Sequence, residues 1–237
     1  MSTKRIPLLP GEFYHVFNRG NNKQEIFVDD KDREHFIKLL YICNSTSKIN
    51  FREDIVKKRI NAWDFERGGQ LVAIGAWVLM PNHFHLFITP LEMPNLPNLR
   101  GLANTTEAEN NVALFMSRVC NAYSKYFNAK YKRTGSLFNG RFKSVHINNE
   151  IQAKYLFSYI HLNPIKLIQK DWKEKGISNK KKALEFLGNY KWSSYLDYLG
   201  EKRSENKIMD RSKFLDYFPT KKLFTKEIFD WIGCQTP

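Results

Sequence analysis

Residues 71–89 read LVAIGAWVLMPNHFHLFIT: a continuous apolar run from Leu71 to Met80, the turn pair Pro81-Asn82, and a second strand-like run from His83 to Thr89. Two strands in a hairpin arrangement fit this best, because both runs have strand length and a turn dipeptide separates them. Side chains alternate faces along a strand, so His83 and His85 point to one side while Phe84, Leu86 and Ile88 take the other. Two imidazoles a strand step apart can chelate one divalent ion and leave positions open for substrate oxygens. An HxH triplet also arises on ordinary strands, so the pair gains meaning only from its company.

Working outward, Glu12 to Asn18 (EFYHVFN) reads as a strand that stops at the turn residues Arg19-Gly20-Asn21-Asn22. From Asp29 onward, cap-forming residues precede an apolar set at Phe36, Leu39, Leu40 and Cys43, spaced as one helical face. Residues 44–70 carry weak periodicity and read as a mixture of loop and short helix. Beyond a proline-rich connector, Pro90 to Leu99, a long helix is expected from about Thr106 to Tyr131, with Val112, Phe115, Met116, Val119, Tyr123 and Tyr126 as its apolar stripe. Asn139-Gly140, between Leu137-Phe138 and Phe142 to Ile147, is a short-range hairpin signal. A third helix should begin near Asn149-Glu150 and end or kink around Asn163, because Pro164 disfavours helical geometry in the residue ahead of it. Residues 170–237 alternate Lys-rich stretches with aromatic clusters and read as a small helical appendage. The simplest architecture is a largely antiparallel sheet with helices packed on it.

Composition narrows the partners. Lys and Arg outnumber Asp and Glu by 38 to 24, a formal net charge of +14 and a pI near 9.6, the balance of a protein that meets polyphosphate. An anionic membrane or ribosomal RNA fits that number equally. Cys43, Cys120 and Cys234 are far apart with no metal-finger spacing, which suits a reducing cytoplasm. No segment approaches the roughly 18 uninterrupted apolar residues of a membrane span, so no membrane insertion is expected.

Two features join the histidine pair. Tyr159 and Asn163 are four residues apart and share a helical face; a tyrosine so placed also serves simply as packing. His161 lies about 200° around the helix from Tyr159 and is left out of that set. Residues 110–149 hold no Asp or Glu but seven basic residues: Arg118, Lys125, Lys130, Lys132, Arg133, Arg141 and Lys143. Tyr123, Tyr126, Phe127, Tyr131, Phe138 and Phe142 are interleaved among them. Cations for phosphates and aromatic faces for unstacked bases suit single-stranded nucleic acid, although a solvated basic face over ordinary core aromatics explains this segment as well.

Taken in order, Tyr14-His15-Val16-Phe17-Asn18-Arg19-Gly20, Met80-Pro81-Asn82-His83-Phe84-His85, the segment Gly135 to Ser144 and Tyr159-Ile160-His161-Leu162-Asn163-Pro164 resemble the signature blocks of the IS200-like single-tyrosine HUH transposases, above all their REP-associated tyrosine transposase branch. The resemblance spans about residues 10–170, and Trp192-Ser193-Ser194-Tyr195 resembles the branch's C-terminal block. It implies an α+β fold: a ferredoxin-like antiparallel sheet with helices packed on it, as a catalytic domain over 1–170, followed by a helical extension over 171–237. It implies His83, His85 and Asn163 as ligands of a divalent metal, Mg²⁺ or Mn²⁺, and Tyr159 as the nucleophile. Arg19, Lys130, Lys132, Arg133, Arg141 and Lys143 become candidate DNA contacts, and His15 a further candidate substrate contact. Tyr155, Tyr123 and Tyr126 stand as other possible nucleophiles. The implied activity is cleavage and rejoining of single-stranded DNA bearing hairpins or palindromic repeats, through a 5′-phosphotyrosine, by a monomer or homodimer. The competing readings are a protein of the same fold that binds structured nucleic acid without cutting it, and a metallonuclease that hydrolyses with water.

Overall fold

Alternation along the strands sets two faces of one sheet, and each face acquires its own core. The computed structural model describes residues 8–47, 49–92, 107–214 and 220–233. Strand β1 (Phe13–Arg19), helix α1 (Asp30–Ile42), strands β2 (Val72–Met80) and β3 (His83–Pro90), helix α2 (Glu107–Lys130) and strand β4 (Lys143–Ile147) follow in chain order. The sheet order is β2-β3-β1-β4 with every neighbouring pair antiparallel, the split βαβ arrangement of a ferredoxin-like α+β fold. After β4 come α3 (Glu150–Leu162), α4 (Trp172–Lys175), α5 (Lys180–Asn189), α6 (Tyr195–Tyr198) and α7 (Lys221–Gly233).

Under one face, Tyr14, Val16, Leu86 and Ile88 pack with Phe36 and Leu40 of α1 and with Phe115, Val119 and Tyr123 of α2. Under the other, Ala76, Val78, Phe87 and Ile147 pack with Leu156 and Ile160 of α3 and with Trp172, Leu187, Tyr195, Phe224 and Ile228 from α4 to α7. Strand β2 is buried on both faces along its whole length, which is why its sequence shows no alternation. The expected hairpin forms with Met80 opposite His83. At Gly75 the β2 register slips; a Cβ there would lie 2.7 Å from the Phe214 ring.

The helices after residue 170 complete the second core, and the segment also closes an open edge. Unpaired groups along an edge strand invite association. Here Trp192 O accepts from Leu79 N and Ser194 N donates to Trp77 O, both at 2.9 Å. Tyr190 Oη donates to Leu79 O at 2.6 Å and Tyr198 Oη to Gly75 O at 2.7 Å, while Asp210 N donates to Ile74 O at 3.0 Å. His161 belongs to this support: it is fully buried, with Nδ1 on Phe157 O and Nε2 on Ser194 Oγ, each at 2.8 Å.

Other elements follow their local chemistry. Asn149 caps α3 by accepting from Gln152 N at 2.8 Å, and the helix gives way at Asn163 to a 3-10 turn over Asn163–Leu167. Residues 44–70 hold a π-helical turn at Phe51–Lys57 and a 3-10 turn at Ala62–Asp64. The Asn139-Gly140 hairpin expectation is corrected. Phe138 bridges to Gly20, and β4 pairs with β1, so the flanks of the turn both face the first strand and not each other. The expected connector from residue 93 onward, and Cys234, lie outside the described residues.

The start of α1 is tied down electrostatically. Asp29 and Asp32 form a reciprocal capping box. The fully buried Asp32 carboxylate also accepts from Lys130 Nζ at 2.6 Å and Tyr131 Oη at 2.7 Å. Burial pushes the Asp32 carboxyl up, but Lys130, Tyr131 and the amides of Val28 and Asp29 outweigh it and hold its pKa below the ordinary value. A carboxyl lowered on folding stabilises the protein above its unfolded value, about pH 4, and that contribution is lost as pH falls through the folded value. Thermal melting should therefore show an acid loss that grows as pH falls below about 4 and that shrinks in Lys130→Met. An equal acid loss in that variant and the parent rules the contact out as its source.

Candidate metal and nucleophile site

Strands β1 and β3 are neighbours with Phe17 opposite His85 and Arg19 opposite His83. The alternation that buries Tyr14 and Val16 in the first core therefore turns His15, Phe17 and Arg19 to the second face, beside His83, His85 and Phe87. The His83 and His85 rings lie 5.0 Å apart, edge to face. The β2–β3 turn that delivers them is clamped by the loop after β1: Pro81 O accepts from Ile26 N and Phe27 N at 2.9 and 3.0 Å, and Asn82 O from Gly20 N at 2.8 Å.

That clamp also sets a tautomer. Asn82 Nδ2 donates to Lys23 O at 3.1 Å, which turns Asn82 Oδ1 toward His83 Nδ1 at 2.6 Å. An amide oxygen only accepts, so the His83 proton belongs on Nδ1 and Nε2 keeps its lone pair. His85 Nδ1 lies 2.7 Å from His15 Nε2, while His85 Nε2 is buried with no hydrogen-bond partner. Burial first, then Lys166 and Arg19, lowers the His83 pKa to about 4; burial and then Lys173 lowers that of His15 to about 4. Burial, followed by His15, His83, Lys173 and Lys166, takes His85 well below the ordinary value. All three rings are neutral at pH 7, the form that ligates metal.

Helix α3 crosses this face and brings Tyr159 to the histidines. Its ring sits 5.5 Å from that of His85 and 6.4 Å from that of His15, both edge-on. Burial raises the phenol's pKa, and the nearby Asn163 amide opposes this. The Asn163 Nδ2 is buried without a hydrogen-bond partner. Lys173 Nζ, from α4, stands 3.8 Å from the centre of the Tyr159 ring. Tyr155, half-exposed one turn earlier, runs parallel to Tyr159 at 6.2 Å.

Among the described residues no three His, Cys, Asp or Glu side chains converge as a ready metal group. The candidate donors are instead the two imidazoles of this face and, at the end of α3 beside Tyr159, the amide of Asn163. This set suits a divalent ion: His85 Nε2 and Asn163 Nδ2 are buried polar atoms lacking partners, and a half-turn of the amide exchanges Nδ2 for Oδ1.

The other candidates separate. Lys143, opposite Phe17 on β4, shares the histidine face, as does the half-exposed Val145 opposite His15. Arg19 and Arg141 are exposed near this end of β1. Lys130 does not join them: its ammonium is held by Asp29 at 2.8 Å and Asp32 at 2.6 Å. Lys132 and Arg133 follow α2, the layer across the sheet from the histidine pair, and the Arg133 guanidinium lies over the Phe127 ring at 5.7 Å. Tyr123 and Tyr126 belong to that opposite layer too, their hydroxyls engaged by Ile26 O and Asp32. Sequence reasoning passed over Lys166 and Lys173, which follow the helix end and carry no motif. His15, expected only as a substrate contact, stands on the histidine face because β1 lies beside β3.

No helix among the described residues is long and apolar enough to cross a membrane. No family model matches the chain, and no curated protein matches it. Among solved structures, one described as a REP-associated tyrosine transposase bound to a REP hairpin aligns at a TM-score of 0.43 and 16% identity, over 86% of this chain and 90% of that one. A bacterial tRNA(His) guanylyltransferase (Thg1)-like protein in complex with ATP aligns at 0.36 and 15% identity, over 79% of this chain and 75% of that one.

Proposed function

We propose that this protein is a single-tyrosine HUH transposase, a metal-dependent strand transferase that cleaves and rejoins single-stranded DNA bearing hairpins or palindromic repeats. The observation that carries this reading is the placement of Tyr159, within one chain, against His85 on the face that also holds His83. The ordered sequence blocks support the same assignment.

His83, His85 and Asn163 would hold Mg²⁺ or Mn²⁺. Bound there, the ion would draw charge from the scissile phosphate and orient it. The Tyr159 oxygen, a weak nucleophile at its ordinary pKa of about 10, then attacks in line. A bond forms from Oη to phosphorus as the bond from phosphorus to the 3′-oxygen breaks; the phenol gives up its proton and the 3′-oxygen gains one. The phosphotyrosine keeps the ester energy, so rejoining needs no nucleotide cofactor. Lys173, Lys166, Arg19 and Lys143 supply positive charge along the strand's path.

The test is formation of a covalent adduct between the purified protein and a labelled hairpin-bearing oligonucleotide with Mg²⁺ or Mn²⁺. Chelator, or His85→Ala, should lower its rate by about a hundredfold or more. Salt-sensitive binding that ignores chelator, with no adduct under either metal, would instead identify a non-cleaving binding protein.

A further inference from the structure

We propose that His15 is a positioning residue for the metal centre, holding His85 in the tautomer and orientation that direct Nε2 at the ion; this rests on the metal-site reading above. The 2.7 Å contact between His85 Nδ1 and His15 Nε2 can contain only one proton. Two arrangements are open. If His15 donates, His85 carries its proton on Nε2, leaving a buried N–H that meets nothing, a costly state. If His15 accepts, His85 is protonated on Nδ1 and Nε2 presents a lone pair toward the site. The second arrangement leaves His85 Nε2 a lone pair that a bound cation would satisfy.

The geometry supports a dedicated contact. His15 lies beside His85 at 4.9 Å between ring centres with the planes 27° apart, and against Phe17 at 4.7 Å. Phe17 in turn lies 5.7 Å from His85. The His15 ring is thus fixed by packing while its Nε2 addresses one atom. Asn82 does the same for His83, so each imidazole of the pair has its Nδ1 engaged by a separate side chain and its Nε2 left for the ion. Such outer partners typically contribute ten- to a hundredfold in metal affinity, on the order of magnitude seen when they are removed.

The experiment measures Mn²⁺ affinity of the full chain without DNA, by the loss of the free-ion electron paramagnetic resonance signal. Two variants separate hydrogen bonding from shape: His15→Phe keeps the ring and removes the acceptor, and His15→Gln keeps an acceptor oxygen. Circular dichroism melting confirms that each is folded. His15→Phe should weaken Mn²⁺ binding by about ten- to a hundredfold, while His15→Gln retains most of the parent affinity. Parent-like affinity in His15→Phe, or an equal loss in both variants, overturns the positioning role and leaves the metal site standing. Failure of the unaltered protein to take up Mn²⁺ overturns the metal site and the role of His15 together.

Discussion

Tyr159→Phe should form no covalent adduct with a hairpin-bearing oligonucleotide, a fall on the order of a thousandfold or more. The substitution removes one oxygen and keeps the ring that packs 5.5 Å from His85 and lies under Lys173. The fold should hold, and non-covalent binding of the same oligonucleotide should stay close to that of the parent. Tyr155→Phe, although only one turn away, should retain the adduct, because Tyr155 is half-exposed and it is the Tyr159 ring that meets His85. Gel separation of the labelled covalent complex reads both variants. Persistence of the adduct in Tyr159→Phe contradicts the assignment.

Arg203→Ala should destabilise the fold by about 3–5 kcal/mol, the usual cost of leaving one partner of a buried pair alone. Asp197 is 1% exposed and meets Arg203 through two contacts, Nε to Oδ1 at 2.8 Å and a terminal nitrogen to Oδ2 at 2.6 Å. The same guanidinium reaches Lys191 O at 2.7 Å and Ser193 O, and it lies 5.5 Å from the centre of the Trp77 ring. It therefore fastens the segment that closes the β2 edge. Burial raises the Asp197 pKa, and Arg203 and Arg211 oppose that. Removing Arg203 strands the carboxyl and loosens the edge together. Replacing both partners with apolar residues of similar volume should recover much of the loss. Urea unfolding measures the difference; a change under about 1 kcal/mol, the range of an exposed pair, would show the contact to be peripheral.

Much of the sheet was readable because its determinants are local. Leu71 to Thr89 carries both strands and the turn between them, and β3 alternates between histidines and core residues as period two requires. Helix α3 announced both ends through Asn149 and Pro164. Pairing between distant segments was less visible. Asn139-Gly140 has the chemistry of a hairpin turn, but both of its flanks are claimed by β1, whose register is decided some 120 residues earlier in the chain. The closure of β2 by Trp192 to Ser194 rests on two backbone bonds and on Ser194 Oγ, which accepts from Trp77 N at 3.0 Å, a pairing that spacing along the chain does not reveal.

The site divides in the same way. Two histidines on one strand face and a tyrosine one helical turn from an asparagine follow from spacing alone. That β1 lies against β3, bringing His15 to His85, depends on sheet order. Lys130 shows how a count of charges misleads: it belongs to the basic stretch in sequence, yet two carboxylates of α1 hold it in space.

The most direct measurement is to trap the protein on a hairpin-bearing single strand with Mn²⁺, digest the complex, and locate the attached nucleotide by tandem mass spectrometry. The account predicts a 5′-phosphate linked to Tyr159 and a free 3′-hydroxyl on the released strand. A linkage to Tyr155, Tyr123 or Tyr126, or cleavage with no nucleotide left on the protein, would contradict it.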